Sequence, residues 1–423
     1  MAELTPHPEI SGCGVMCPIM IQFPHNFFWG AATSAYQVEG NNRNADWWEW
    51  EKSSGVQPSG QASRHYELYR QDFDLARELN HNAHRLSIEW SRIEPQEGEF
   101  SQKELEHYQE VILSLKERNI EPIVSLHHFT NPIWFAKLGG WAGRDADKYF
   151  LRFAQKVVDT LADKVRFWVT INEPMVYMYY SYILGDWPPQ EKSYSKARRV
   201  KDNLAIAHVK AHRIIHEIYK KKNLAPCYVS IAQNMQAFVP CQPSLKNRLA
   251  VFLRDRQFNF SFLERLIRCN SLDFIGVNYY TRQLVDAESW SFKSLMLDTC
   301  KKNHHPLRKN SMGWDIYPQG LFDLLIRLKK YKLPVFILEN GICTGNDFLR
   351  WDFIAEHLKK LKDAMDQGVN CLGYIYWSLL DNFEWDKGFA PRFGLIEVDY
   401  NTCSRKIRES ARNFAQVAKT GRL

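Results

Sequence analysis

Residues 334–340 read PVFILEN, and the way this run is built decides how the rest of the chain is read. Five apolar positions follow one another without the alternation of a half-exposed strand, as in a parallel strand covered on both faces. The run then ends on the carboxylate of Glu339 and the amide of Asn340. Residues 166–173, RFWVTINE, end the same way on Asn172 and Glu173.

Six further runs rich in β-branched and aromatic residues complete the set: FWGAAT from Phe28, AHRLSIEW from Ala83, EPIVSLHH from Glu121, CYVSIAQN from Cys227, DFIGVNYY from Asp273 and CLGYIYWS from Cys371. Between them lie helical stripes spaced by three and four, such as Tyr66, Tyr69, Phe73 and Ala76; Leu105, Tyr108, Ile112 and Leu115; and Ile354, Leu358, Leu361 and Met365. Parallel strands need crossover helices, and eight strands close into a packed cylinder, so the pattern predicts an α/β chain folded as a single (β/α)8 TIM barrel. The barrel is expected over residues 21–423. Residues 1–20, with Pro6, Pro8, Gly12 and Gly14, read as an irregular N-terminal extension, and residues 283–312 as a long loop. No internal repeat or linker marks a second domain.

A chain of 423 residues, 45% hydrophobic and 24% charged, can bury a large core and is not disordered in type. The formal charge of +7 is a mild excess, and basic runs such as Lys220–Lys222 sit where helices end, which suits solvated helix termini rather than a nucleic-acid or membrane surface. Nine cysteines without paired spacing argue against a disulfide framework and predict a reducing compartment, the cytoplasm. No segment reaches membrane-span length. The N-terminus, without Lys or Arg before Arg43 and with Pro18 breaking its apolar patch, is a poor secretion signal.

In a (β/α)8 barrel the chemistry gathers at the C-terminal ends of the strands, where this sequence repeatedly places polar residues. Gln37 and Glu39 follow the first run, Arg85 lies in the second, and His127 and His128 end the third. Asn172 and Glu173 end the fourth run, Asn278, Tyr279 and Tyr280 the sixth, Glu339 and Asn340 the seventh, and Trp377 the eighth. Glu173 and Glu339 are therefore expected to face each other across the barrel mouth. Such a pair suits glycosidic hydrolysis, in which one carboxyl protonates the leaving oxygen and the other attacks or guides water. No metal or cofactor is expected: His127 and His128 are adjacent, with no carboxylate at ligand spacing, and no glycine-rich phosphate loop follows a strand.

The motifs NEP at 172–174, ENG at 339–341 and WSLLDNFEW at 377–385 resemble glycoside hydrolase family 1, the retaining β-glucosidase-type enzymes. FFWGAATSAYQVEG from Phe27, HRLSIEWSRIEP from His84, GVNYYT from Gly276 and RFGL from Arg392 extend the resemblance over residues 21–415. It implies Glu339 as nucleophile, Glu173 as acid/base, and Asn172 as the partner of the sugar 2-hydroxyl. It further implies that Tyr280 and Arg85 support the nucleophile together with Asn278. Gln37, His127, Glu384 and Trp385 would bind the other hydroxyls, with Trp377 beneath the sugar ring. A carboxylate at Glu384 would repel a 6-phosphate, so the implied substrate is a small unphosphorylated β-glycoside. The family's YHWDLP stands here as LHHFTNP, which leaves the aglycone wall unassigned. A transglycosylase using the same site and a non-catalytic carbohydrate-binding barrel are the alternatives.

Overall fold

A computed structural model of the protein describes residues 21–300 and 306–423. The expected extension over residues 1–20 lies outside them. Eight strands close into one barrel in sequence order: β1 (Phe28–Ala32), β2 (Ala83–Ser87), β3 (Glu121–Ser125), β4 (Phe167–Asn172), β5 (Tyr228–Pro240), β6 (Ile275–Val285), β7 (Val335–Asn340) and β8 (Cys371–Trp377). Every neighbouring pair is parallel, and β1 closes on β8 with Phe28 opposite Gly373. All eight predicted runs become strands, and the three helical stripes lie on the helices His65–Glu78, Gln102–Glu117 and Asp347–Asp366.

The continuous apolar character of the strands follows from two separate cores. Val335 and Ile337 of β7 pack outward under the helices, whereas Phe336 and Leu338 point into the barrel. Phe28, Phe167, Phe274 and Phe336 fill the barrel interior, with ring centroids 5.4–6.3 Å apart. The barrel is thus plugged below and can hold a site only at its mouth.

Strict alternation from Phe336 and Leu338 would turn Glu339 outward. A register shift prevents this: Val277 of β6 pairs with Ile337, but the next residue, Asn278, pairs with Glu339. The extra residue on β7 re-aims Glu339 into the barrel. The same device acts on β4, where Val169 pairs with Ser230 but Asn172 with Ala232. Both catalytic-type strands therefore bulge one step before their polar ends.

Three features depart from the expectations. The region read as a long loop contains the end of β6 and the helix Phe292–Leu297; residues 301–305 lie outside the described ones. β5 and β6 continue past the rim as a ribbon, from Ala237 opposite Arg282 to Pro240 opposite Val285. This ribbon brings Cys241 to Cys300, 59 residues away, and the two form a disulfide; pairing across the fold leaves no trace in cysteine spacing. After β8 a small hairpin, β9 (Ile396–Val398) and β10 (Arg405–Ile407), is held by the buried Asp381, which meets Arg392 at 3.2 Å and Arg408 at 2.9 Å. No helix among the described residues is long and apolar enough to cross a membrane.

Candidate active site

The strand ends open into a cavity of about 980 Å3 lined by Gln37, His128, Asn172, Glu173, Tyr280, Glu339, Trp377, Glu384 and Trp385, among others. Inside it Glu339 and Glu173 are buried, 3% and 7% exposed, yet their surroundings differ. The Arg85 guanidinium forms an ion pair with Glu339 Oε1, and the Tyr280 hydroxyl donates to Oε2 at 2.6 Å. Arg85 is in turn fixed by Ser125 Oγ at 3.1 Å and by Asn172 Oδ1 at 2.7 Å.

Among the described residues no cation lies at ion-pair distance from Glu173, and Arg85 is the weakest of the influences on it. Glu173 Oε1 accepts from the side-chain amides of Asn278 at 2.8 Å and Asn234 at 2.9 Å. Asn278 also donates to Asn172 Oδ1 at 3.1 Å, so one chain of hydrogen bonds runs from Glu339 through Arg85, Asn172 and Asn278 to Glu173. The backbone of Glu173 is left-handed, φ +45°, as the chain turns from β4 into the helix Pro174–Met178.

These surroundings set the proton affinities. Burial, then the negative charge of Glu339, pushes the Glu173 carboxyl up to about 8. Burial also raises Glu339, but there Arg85 and Tyr280 act in the opposite direction. Burial raises both carboxyls, and only Glu339 has a guanidinium and a phenol that together act against the rise. Glu384 is raised to about 8, by burial first and by Glu339 second.

At the wall, Gln37 Nε2 donates to Glu384 Oε2 at 3.2 Å and to Phe383 O at 2.9 Å. Trp377 and Trp385 lie nearly parallel to the His128 ring, at centroid distances of 5.8 and 6.1 Å. His128 also meets Asn172 Nδ2 at 3.1 Å.

His127 does not join them. Its Nε2 donates to Asn131 Oδ1 at 3.0 Å, an oxygen that also accepts from Trp141 Nε1 at 3.0 Å, and its ring packs edge-on against Trp141 and Tyr177, behind the cavity wall. Successive residues of an extended chain point to opposite sides, so only one of the two histidines can face the mouth. Strand pairing stops at Ser125 and the chain turns at Phe129, φ +71°, which selects His128. Aligning HHFTNP, without the leading leucine, against YHWDLP pairs the two without any insertion and would have selected the same residue. Asn234 was also missed, although it ends the fifth run as the other polar residues end theirs. Glu39 turns away from the cavity to Arg92 at 2.8 Å and Tyr108 at 2.8 Å.

Comparison with known proteins agrees with this geometry. The model of glycosyl hydrolase family 1 matches residues 19–270 and 264–422. A 1,4-beta-D-glucan glucohydrolase of Thermotoga neapolitana is 30% identical over 96% of this chain and 100% of its own. Among solved structures, a beta-glycosidase from Pyrococcus horikoshii superposes with a TM-score of 0.89 at 38% identity, covering 96% of each chain. A beta-glucosidase from Thermotoga maritima in complex with glucoimidazole gives 0.87 at 29% identity, over 95% of this chain and 99% of that one. The chain belongs to glycosyl hydrolase family 1.

Proposed function

We propose that this family 1 β-glycosidase is a retaining β-glucosidase that removes terminal, non-reducing, unphosphorylated β-D-glucosyl residues and tolerates β-D-fucosyl and β-D-galactosyl ones. The observation that carries the reading is the asymmetry of the two carboxyls: Glu339 has a guanidinium and a phenol against it, while Glu173 is pushed up to about 8. An enzyme that must hold one carboxyl protonated and the other ionised near neutral pH needs that asymmetry.

In the first step Glu339 attacks the anomeric carbon and the bond to the aglycone oxygen breaks, while Glu173 gives that oxygen its proton. The products are a covalent glycosyl-enzyme and the free aglycone alcohol. In the second step Glu173, now a carboxylate, takes a proton from water as the water oxygen displaces Glu339 from the same carbon. The sugar leaves with its configuration retained. Asn278, which holds Glu173, is the register partner of Glu339, and this adjacency favours the short carboxyl separation of retaining enzymes, about 5–5.5 Å, over the wider gap that inversion needs.

Asn172 binds the sugar 2-hydroxyl through an amide oriented by Arg85 and Asn278. Trp377 forms the platform under the apolar ring face, and Gln37, His128, Glu384 and Trp385 take the outer hydroxyls. His128 replaces His127 in this set. Glu384, a carboxyl where a 6-phosphate would lie, supports the unphosphorylated substrate. Release of p-nitrophenol from the β-D-glucoside, galactoside and fucoside tests the reading, with Glu339→Gln beside the wild type. Turnover by the wild type with loss in the variant is expected. A folded wild type inactive on all three would leave a carbohydrate-binding barrel.

A further inference from the structure

Besides the residues around Glu173 and Glu339, the cavity lining holds a group of cations, with Asp186, Asp202 and Asp386 also in it. The helix Tyr194–Lys221 contributes Arg198 and Lys201, the helix Leu245–Asp255 and the turn after it contribute Arg254 and Arg256, and the helix Ser261–Arg268 contributes Arg265 and Arg268. Arg265 is matched by Asp202 in an ion pair. Among the described residues the other five have no carboxylate at ion-pair distance. Lys201 donates to a neutral group, Ser261 Oγ, at 2.7 Å.

Arg254 is the most telling of them. It is 3% exposed, and among the described residues its guanidinium donates to backbone carbonyls alone: Leu295 O at 2.8 Å, Ser294 O at 3.1 Å and Asp298 O at 2.7 Å. Its Nη1 is buried and has no partner. Burial holds the Arg254 guanidinium below its usual pKa although the Asp298 charge acts in the opposite direction, and an anion brought to the free N–H edge would offset that cost. The same cavity carries a flat apolar surface, where Tyr180 stacks on Trp187 at 4.6 Å and 20°, next to Trp385.

From the cationic wall and the aromatic stack together we infer that the natural aglycone is an aromatic or otherwise apolar group carrying a carboxylate, sulfate or phosphate. The inference rests on the β-glycosidase reading and adds the chemical class of the leaving group. The ring lies on the Tyr180–Trp187 stack and the acid is met by Lys201, Arg254 and Arg256. The cations outnumber the aspartates of the outer lining, Asp186, Asp202 and Asp386, and such an excess raises the local concentration of anions, an effect that added salt screens.

The test compares two β-D-glucosides of matched leaving-group acidity, 4-(carboxymethyl)phenyl and its neutral methylamide, at low and high salt. The expected result is a kcat/KM about tenfold higher for the carboxylate in low salt, shrinking severalfold in about 0.5 M NaCl. Lys201→Gln and Arg256→Gln should each lower the carboxylate:amide ratio a few-fold, and neither depends on the fold tolerating loss of Arg254. Equal kcat/KM values, a preference for the amide, or no turnover of either while p-nitrophenyl β-D-glucoside is cleaved would overturn the inference. If that reference substrate is inert as well, the β-glycosidase reading fails instead. Calorimetry of (4-hydroxyphenyl)acetate against its methylamide then decides the wall by itself: tighter binding of the acid supports the inference, and equal binding overturns it.

Discussion

The inner and outer halves of the cavity are built on opposite principles. In the inner half the polar groups of the reacting centre are linked into one network: Arg85, Asn172, Asn278 and Tyr280 bond to one another or to the two glutamates, with links of 2.6–3.1 Å beside the Arg85–Glu339 ion pair, and of their side-chain atoms only Asn278 Oδ1 is buried without a partner. In the outer half, among the described residues, Arg198, Lys201, Arg254, Arg256 and Arg268 line the cavity with no carboxylate at ion-pair distance, and Arg254 Nη1 is buried without an acceptor. A closed network fixes geometry for a constant reacting group, and an open one waits for charge that the ligand must supply. Perturbing the inner half should therefore cost activity on every substrate, whereas perturbing the outer half should change the ranking of substrates.

The largest effects test the inner half. Glu173→Ala should lower kcat about 10²–10⁴-fold on glucosides with poor leaving groups and far less on activated aryl glucosides, which need no proton. Equal losses on both would remove Glu173 as the acid. Asn172→Ala should cost about 10²-fold in kcat/KM through contacts that strengthen in the transition state. If instead only KM rises, the amide binds the sugar without helping the reaction.

The pH dependence sharpens the contrast between the two carboxyls. Glu173 must be protonated to act, so activity should fall as pH rises through about 8, and Glu173→Gln should abolish that alkaline limb. Its raised pKa has a second consequence. Between the ordinary value of 4.5 and about 8 the folded protein holds a proton that the unfolded chain has released, so stability falls as pH rises through this window. Glu173→Gln should therefore raise the melting temperature at about pH 9 and change it little at about pH 4. A melting temperature that moves equally at both values would show that Glu173 is not strained by its burial.

A smaller effect separates two adjacent histidines. His128→Ala should lower kcat/KM about tenfold with little loss of stability, while His127→Ala should chiefly lower the melting temperature because it removes the donor to Asn131 and the ring packed on Trp141 and Tyr177. The reverse outcome would return the sugar contact to His127.

How much of this could be read from the chain differs between the halves as well. The barrel and the two glutamates were legible because strand ends carry their polar residues in sequence, next to apolar runs that declare the strand. The choice of His127 over His128 is off by one position because the strand run alone does not show where β3 stops pairing, whereas ungapped alignment of residues 127–132 with YHWDLP selects His128. The bulges that turn Asn172 and Glu339 inward were invisible, since they depend on pairing between β4 and β5 and between β6 and β7. The cationic wall was invisible for the same reason: Arg198, Arg254 and Arg268 sit on three helices and meet only when these are packed. The Cys241–Cys300 pair likewise depends on the ribbon formed by β5 and β6 beyond the rim.

The central claim is that Glu339 becomes covalently bonded to the sugar. Incubation with a 2-deoxy-2-fluoro-β-D-glucoside bearing a good leaving group, followed by digestion and mass spectrometry, tests it directly. One fluoroglucosyl group is expected on the peptide that carries Glu339. A label on any other peptide would place the nucleophile elsewhere, and an active enzyme that never accumulates a label would contradict the covalent route.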